Sequence, residues 1–142
     1  MSRIGYTTGV FDLFHIGHLN IIRKAKENCD YLIVGVSTDE LVQNYKNKSP
    51  IIPYCERKAI VEAIRYVDKV VPQEDRDKIK AHSLLKFDVM FVGDDWKDSS
   101  LFIETEKQFK EMGVDIVYFP YTTGTSSSLL TDVLRQFKIQ EK

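Results

Sequence analysis

Short apolar runs alternate with longer amphipathic segments along the chain. Five of these runs are nearly continuous in Val, Ile, Phe and Tyr, which is typical of strands covered on both faces of a sheet. They are "RIGYTT" around Ile4, "YLIVGVS" from Tyr31, "KVVP" from Lys69, "DVMFVG" from Asp88 and "DIVYFP" from Asp115. The pattern therefore predicts five strands.

Between the strands, apolar residues recur at helical spacing. The three series are Ile16, Leu19, Ile22 and Ala25; Ile60, Ile64 and Val67; and Leu130, Leu134 and Phe137. Strands that alternate with helices predict an α/β protein, with a parallel sheet of about five strands and helices on both faces. No repeat or linker divides the sequence, so we expect residues 1–142 to form a single domain.

Composition narrows the class of protein. Hydrophobic residues are 43% of the chain and charged residues 29%, as in soluble globular proteins. The formal net charge is −1 and no charge run is long, so neither a nucleic-acid surface nor an anionic membrane is indicated. No apolar run is long enough to span a bilayer, and the N-terminus lacks a signal-peptide layout. Cys29 and Cys55 have no metal or redox spacing, so a cytoplasmic protein is expected.

The stretch "GVFDLFHIGH" follows the first predicted strand and holds two of the three histidines of the chain. His15 and His18 are three residues apart, so they share a face in the first turn of a helix, where free N–H groups and the helix dipole favour anions. Gly9 and Gly17 allow a ligand to approach closely. Three interpretations are open: a phosphate clamp, which we favour, helix capping by chance, and two ligands of a zinc site. The usual phosphate loops, GxGxxG and GxxxxGK[ST], are absent.

Ligands of parallel sheets bind at the carboxyl ends of the strands, so residues after the other strands are candidates as well. Lys46 and Lys48 are expected in a loop after the second strand, and Arg57 at the start of the next helix. Cations there suit a phosphate substrate, although exposed lysines are commonly just solvated.

Two later segments are also candidates. "GDDW" after the fourth strand offers Asp94 to a ribose, base or metal, and Trp96 to a base or to the core. "TTGTSSS" after the fifth strand places Gly124 in a turn and serine hydroxyls at a helix start, which suits either capping or a second phosphate site.

The motif "HIGH" fits the HxGH signature of the nucleotidyltransferase superfamily. With "VSTDE", "ER" at Glu56, "IRYVD" from Ile64 and "GDDW" from Gly93, the chain resembles the cytidylyltransferase family over nearly its whole length, and the bacterial glycerol-3-phosphate cytidylyltransferases above all. The resemblance implies a Rossmann-like fold, CTP as donor, a phosphorylated alcohol as acceptor, Mg²⁺ as cofactor without a dedicated protein ligand, and a homodimer.

The resemblance also implies roles for individual residues. His15 and His18 would contact the donor phosphates and stabilise the transition state, Lys46 would bind phosphate on the acceptor side, and Arg57 would be a functional arginine. The residues expected around CTP are Thr8, Gly9, Val10, Phe11, Asp12, Arg65, Asp94, Trp96, Thr122, Gly124, Ser126 and Ser127. The last signature departs from the family pattern, because Tyr121 and Thr125 stand where relatives have Arg and Ile.

The implied reaction is attack by the acceptor phosphate on the α-phosphorus of CTP, with release of pyrophosphate. Because the nucleophile is already an anion, positioning and charge compensation suffice and no protein base is required. Histidine suits this role because it donates a hydrogen bond in either protonation state and can be charged near neutral pH. Other functions stay open: phosphocholine or phosphoethanolamine cytidylyltransferase, an adenylyltransferase, a nucleotide sensor, and a metal-binding module.

Overall fold

The computed structural model describes residues 2–93, 99–120 and 127–140, without the side chains of residues 101, 127, 128 and 137–140. The strands in this part of the chain are β1 (Ile4–Gly9), β2 (Tyr31–Ser37), β3 (Lys69–Gln73), β4 (Val89–Gly93) and β5 (Asp115–Phe119). The helices are α1 (Ile16–Glu27), α2 (Asp39–Lys46), α3 (Tyr54–Glu62), α4 (Lys78–Leu85), α5 (Ser100–Met112) and α6 (Ser127–Gln140). The α/β class predicted from the sequence is confirmed.

The strands form one parallel sheet in the order β3-β2-β1-β4-β5. Its two faces bury separate apolar clusters, as the continuous apolar runs predict. On β4, Phe91 packs with α1 and α3 residues such as Ile22 and Val61, whereas Met90 packs with Phe109 of α5 on the other face. The helices therefore cover both faces of the sheet.

The chain order creates a crevice beside β1. From β1 the chain winds outward to β2 and β3, and it then returns to β4 and β5 on the other side of β1. Ligands of open α/β sheets bind at such a reversal, outside the carboxyl ends of the strands. Here β1 pairs with β2 from Ile4 to Gly9 but with β4 only at Gly5 and Tyr6, so the carboxyl end of β1 has no ladder partner on the β4 side.

One helix is shorter than its apolar spacing predicts. The series Ile60, Ile64 and Val67 indicates a helix through Val67, but α3 ends at Glu62. Ile64 and Val67 lie in the turn that leads into β3, and both still pack against the same core cluster as α3. A turn can bury every third residue as a helix does, and the chain must turn here to enter the edge strand at Lys69.

Among the described residues, no helix has the length and apolar character needed to cross a membrane.

Candidate active site

The loop between β1 and α1 is held in an unusual backbone conformation. Phe11 and Leu13 adopt left-handed φ values of 56° and 49°, which residues with side chains seldom do and which concentrate at functional sites. The Phe11 ring is buried in the core, and a Cβ added to Gly9 would lie 3.0 Å from that ring. A side chain at position 9 would therefore crowd the Phe11 ring, so the packing of Phe11 favours glycine there.

The two histidines of "HIGH" together cap α1. His15 is the N-cap residue and its Nδ1 accepts the Gly17 N–H at 3.0 Å, while Nδ1 of His18 accepts the His15 N–H at 3.2 Å. This is a capping box built from imidazoles, and it explains the spacing of three residues. The capping contacts are thus present, and they involve the Nδ1 atoms of both rings. The capping box also sets the tautomer of both rings, because a neutral imidazole that accepts at Nδ1 carries its proton on Nε2.

The environment keeps both rings neutral. Burial lowers the pKa of His15, and burial together with the neighbouring His15 lowers the pKa of His18 to about 4. The Phe11 and Phe14 rings lie 5.3 Å and 5.2 Å from the His18 ring, measured between centroids. The expectation that this pair carries charge near neutral pH is therefore not supported. The histidines are suited to donate Nε2–H hydrogen bonds, and positive charge must come from other residues.

Arg57 lies near the start of α3, as expected, but its side chain is buried in the protein. The residue is 1% exposed, and its guanidinium donates to three backbone carbonyls, those of Val10 at 2.7 Å, Ser37 at 2.7 Å and Ile52 at 2.8 Å. A fourth bond, of 2.6 Å, joins it to the Asp39 carboxylate. Arg57 therefore ties together the loops that follow β1 and β2, and the structure gives it the role of a positioning residue.

Asp12 also binds a loop of the protein. Its two carboxylate oxygens accept the N–H groups of Ile51 and Ile52 at 2.7 and 2.9 Å. It thereby joins the "HIGH" loop to the segment that follows α2. Asp12 lies in the site, as expected, but its carboxylate serves chiefly to shape the site.

A cleft beside Asp12 brings basic residues together. Lys46, Lys48 and Arg135 line it, along with the buried Thr131 of α6. Lys46 is the last residue of α2 and not part of a loop, and partial burial followed by the charge of Lys48 lowers its pKa. The sequence alone does not place Arg135 in the site, because only the packing of α6 brings it to this cleft.

Two further basic residues near the site were missed. Arg76 stacks over the Tyr45 ring at 4.9 Å, close to Lys46. Lys78 is buried and its Nζ donates to Thr8 Oγ1 at 3.3 Å, at the carboxyl end of β1. The stretch "DRDK" was the signal in the sequence that could have indicated Lys78. There the lysine follows the helix-capping Asp77, and a lysine in the first turn of a helix is unfavourable because its charge opposes the helix dipole.

Arg65 does not join these residues. It lies in the turn before β3, at the amino ends of the strands, where it donates to the Tyr66 hydroxyl at 2.9 Å and stacks over the same ring. The site lies at the opposite, carboxyl edge of the sheet. The expected contact of Arg65 with a nucleotide bound in this subunit is therefore not supported by its position.

Several predicted residues cannot be placed. Asp94, Trp96, Tyr121, Thr122, Gly124, Thr125 and Ser126 lie outside the described residues, and Ser127 is described only as the start of α6. Within the described part, Thr8, Gly9 and Val10 lie at the carboxyl end of β1 as expected, with the Val10 carbonyl bonded to Arg57.

The described residues do not supply a metal site. Residues 2–93, 99–120 and 127–140 contain no group of three His, Cys, Asp or Glu side chains placed to share a metal ion. Two carboxylates on the loops that follow β1 and β2, those of Asp12 and Asp39, bind backbone N–H groups and Arg57, respectively. For this part of the chain, the zinc interpretation of the histidine pair is not supported.

Comparison with known proteins gives consistent matches. A family model described as cytidylyltransferase-like matches residues 6–134. The chain is 39% identical over 136 residues to a glycerol-3-phosphate cytidylyltransferase of Staphylococcus aureus, covering 94% of this chain and 96% of the relative. A Bacillus subtilis protein of the same name is 36% identical over 127 residues, covering 89% and 92%. A FAD synthase of Pyrococcus abyssi is 36% identical over 114 residues, covering 80% and 77%.

Solved structures match as well. The lipopolysaccharide core biosynthesis protein of Thermoplasma volcanium superposes with a TM-score of 0.72 at 25% identity, covering 88% of this chain and all of that one. Pantoate-beta-alanine ligase of Francisella tularensis gives a TM-score of 0.64 at 18% identity, covering 99% and 71%. The second likeness bears on the fold alone, and both agree with a Rossmann-like α/β sheet.

Proposed function

Because the chain belongs to the cytidylyltransferase-like family, we propose that it joins CTP to a phosphorylated small alcohol and releases pyrophosphate. The acceptor we favour is glycerol 3-phosphate, after the names of the relatives from B. subtilis and S. aureus. The observation that carries the proposal is the neutral histidine pair, fixed by reciprocal capping at the start of α1 beside the open carboxyl end of β1.

The geometry suits transfer of a nucleotidyl group. In the proposed complex, Nε2–H groups of His15 and His18 donate to the donor phosphates where negative charge grows in the transition state. Neutral donors fixed in place need no reorganisation during the reaction. Lys46, Lys48 and Arg135 supply the positive charge that the histidines lack at neutral pH.

The proposed reaction step needs no base from the protein. An anionic oxygen of the acceptor phosphate forms a bond to the α-phosphorus of CTP. The bond from that phosphorus to the oxygen bridging the β-phosphate breaks, and its electron pair leaves with pyrophosphate. The role of the protein is to align the two phosphates and to offset their charge.

Mg²⁺ accompanies CTP in this proposal. Since the described residues offer no dedicated ligand set, the phosphate oxygens of the nucleotide are the ligands we assign to it, in accord with its preference for oxygen. No step is assigned to the ion. We expect EDTA to abolish turnover and to leave the melting temperature of the nucleotide-free protein unchanged.

Initial rates of pyrophosphate release test the proposal. CTP and ATP are each paired with glycerol 3-phosphate, phosphocholine, phosphoethanolamine and a sugar phosphate. We expect CTP with glycerol 3-phosphate to be fastest, because a site built to hydrogen-bond one base rejects another strongly. Replacement of the third histidine, His82→Gln, should leave this rate unchanged, since His82 packs against Phe87 and Phe109 away from the site.

Adenylyl transfer is the second candidate, because the P. abyssi relative is named a FAD synthase. Faster release from ATP than from CTP would establish it in place of our proposal. CTP binding without turnover on any acceptor would instead identify a nucleotide sensor. The homodimer and the single domain of residues 1–142 are part of the proposal, and sedimentation together with limited proteolysis tests both.

A further inference from the structure

β1 and β4 separate at the carboxyl edge of the sheet while both continue as strands. In the described structure their ladder ends at the pair of Tyr6 and Met90. Beyond this pair, β1 stays paired with β2 as far as Gly9, and β4 stays paired with β5 as far as Gly93. Neither strand is frayed, because each keeps its other neighbour. The crevice beside β1 is therefore bounded by two regular strands that diverge.

The side chain of Thr7 lies at the point where the two strands diverge. Its Oγ1 donates to the Phe91 carbonyl at 2.9 Å, and the residue is 2% exposed. The β1–β4 ladder ends one residue earlier on each strand, so this bond joins the strands immediately beyond their last backbone pair. A buried hydroxyl is costly unless it is bonded, and valine, the residue paired with Thr7 in β2, has the same shape without that cost. The hydroxyl therefore serves the link to β4.

Phe91 is held in place on its other sides. It pairs with Val117 in the ladder to β5, and its ring stacks on Phe119 with centroids 5.5 Å apart. The ring also lies over Gly5, where an added Cβ would come within 2.6 Å of it. The Phe91 carbonyl is thus a fixed acceptor. The bond from Thr7 sets the position of β1 relative to it.

A ligand in this crevice contacts the strands on both sides of it. The histidine pair lies on the β1 side, because the loop from Gly9 leads directly into α1. In the proposed function the triphosphate lies at these histidines, so the nucleoside extends toward the end of β4. The position of the nucleoside relative to its phosphates therefore depends on how far β1 and β4 diverge.

We propose that Thr7 is a positioning residue for the nucleotide, because its bond to the Phe91 carbonyl sets the width of the crevice between β1 and β4. This inference rests on the proposed function. It adds a residue that acts without touching the substrate, since Thr7 is buried at the closed end of the crevice. Thr7 takes no part in the bond changes of the reaction.

Isothermal titration calorimetry with CTP and with inorganic pyrophosphate, each with Mg²⁺, tests the proposal. Thr7→Val removes the hydroxyl and keeps the shape, Thr7→Ser keeps the hydroxyl, and Thr105→Val is the matched control at a buried threonine of α5. For Thr7→Val we expect Kd for CTP to rise about three- to tenfold, the effect of one hydrogen bond. Kd for pyrophosphate should not change, because this probe occupies only the histidine side. The other two variants should bind both probes as the wild type does.

Three results would contradict the proposal. They are unchanged CTP binding by Thr7→Val, an equal loss of affinity for CTP and pyrophosphate, and a Thr7→Ser variant as weak as Thr7→Val. A measurement on the wild type covers the case in which Thr7→Val does not fold. The ¹³C resonance of the Phe91 carbonyl should keep its position when CTP is added, while the amide signals of Thr8 and Gly9 move. Movement of the carbonyl signal would show that the nucleotide, and not Thr7, sets the divergence of the strands.

The binding measurements separate this inference from the proposed function. CTP binding that depends on the Thr7 hydroxyl, without transfer to any acceptor, would count against the proposed function alone. If the wild type binds ATP and not CTP, the same comparison of variants is made with ATP, and the inference stands or falls on it. Binding of neither nucleotide by the wild type would overturn both.

Discussion

Replacing Arg57 with Met should lower the free energy of unfolding, because the buried guanidinium of this arginine holds the loops of the site together through hydrogen bonds. The change leaves three carbonyls, those of Val10, Ser37 and Ile52, without their donor. It also breaks the ion pair with Asp39, but that carboxylate still accepts the Tyr54 N–H at 3.2 Å, and the Asp39 side chain is 40% exposed, so water can solvate the oxygen that loses Arg57. Buried groups that lose their partner cost about 1–3 kcal/mol each, and breaking a buried ion pair costs about 3–5 kcal/mol.

Since the Asp39 carboxylate can be solvated and water can reach part of the vacated space, we expect a total loss of about 3–5 kcal/mol. Domains of this size are stable by about 5–15 kcal/mol, so the variant should still fold in buffer. With a urea slope of roughly 1–3 kcal/mol per molar, the unfolding midpoint should fall by roughly 2 M.

Urea unfolding followed by circular dichroism measures this change. Arg23→Met is the matched control, because Arg23 is exposed and makes a single long bond, of 3.4 Å, to Asn20. The control should stay within about 0.5 kcal/mol of the wild type. A normal midpoint for Arg57→Met combined with lost turnover would refute the positioning role. Arg57 would then act on substrate directly, as its resemblance to the family's functional arginines implies.

Three further predictions concern the histidine loop. The ring protons of His18 should titrate near pH 4 by NMR, and its ¹⁵N shifts should show the proton on Nε2. Because its pKa is lower in the folded state than in the unfolded chain, its contribution to stability is complete above about pH 6.5 and is lost as the pH falls through about 4; a midpoint near 6.5 would contradict this. His15→Asn should keep the helix cap while His15→Ala loses about 1 kcal/mol. Turnover should fall about a hundredfold or more in both, and near-normal turnover in the Asn variant would exclude the phosphate-clamp role. Asp12→Asn should lose about 2 kcal/mol in urea unfolding, because its amide N–H₂ faces a backbone N–H; an unchanged midpoint would count against the loop-joining role.

The strands could be predicted from the sequence because their physical signal is local. β2 and β4 lie within the sheet and bury both faces, so their apolar runs are continuous and bounded. The end of α3 could not be predicted in this way, since Ile64 and Val67 bury the same cluster from a turn. Periodicity reports which residues are buried and does not distinguish a helix from a turn at that length.

Residue roles were harder to predict because they depend on distant partners. The Arg57 guanidinium meets the Val10 carbonyl 47 positions earlier, and nothing near Arg57 in the sequence indicates that contact. Lys78 meets Thr8 at a separation of 70 positions. In contrast, the partners of His15 and His18 lie within three residues, so "HIGH" could be assigned to a helix start from its spacing alone.

The reaction itself is the central claim, and ³¹P NMR tests it most directly. Purified protein is mixed with CTP, Mg²⁺ and glycerol 3-phosphate, and the phosphorus spectrum is followed over time. We predict that the triphosphate signals decline while a new diphosphate diester, CDP-glycerol, and free pyrophosphate appear in equal amounts. A spectrum in which CTP persists, or decays to CDP and inorganic phosphate without a diester, would contradict the account.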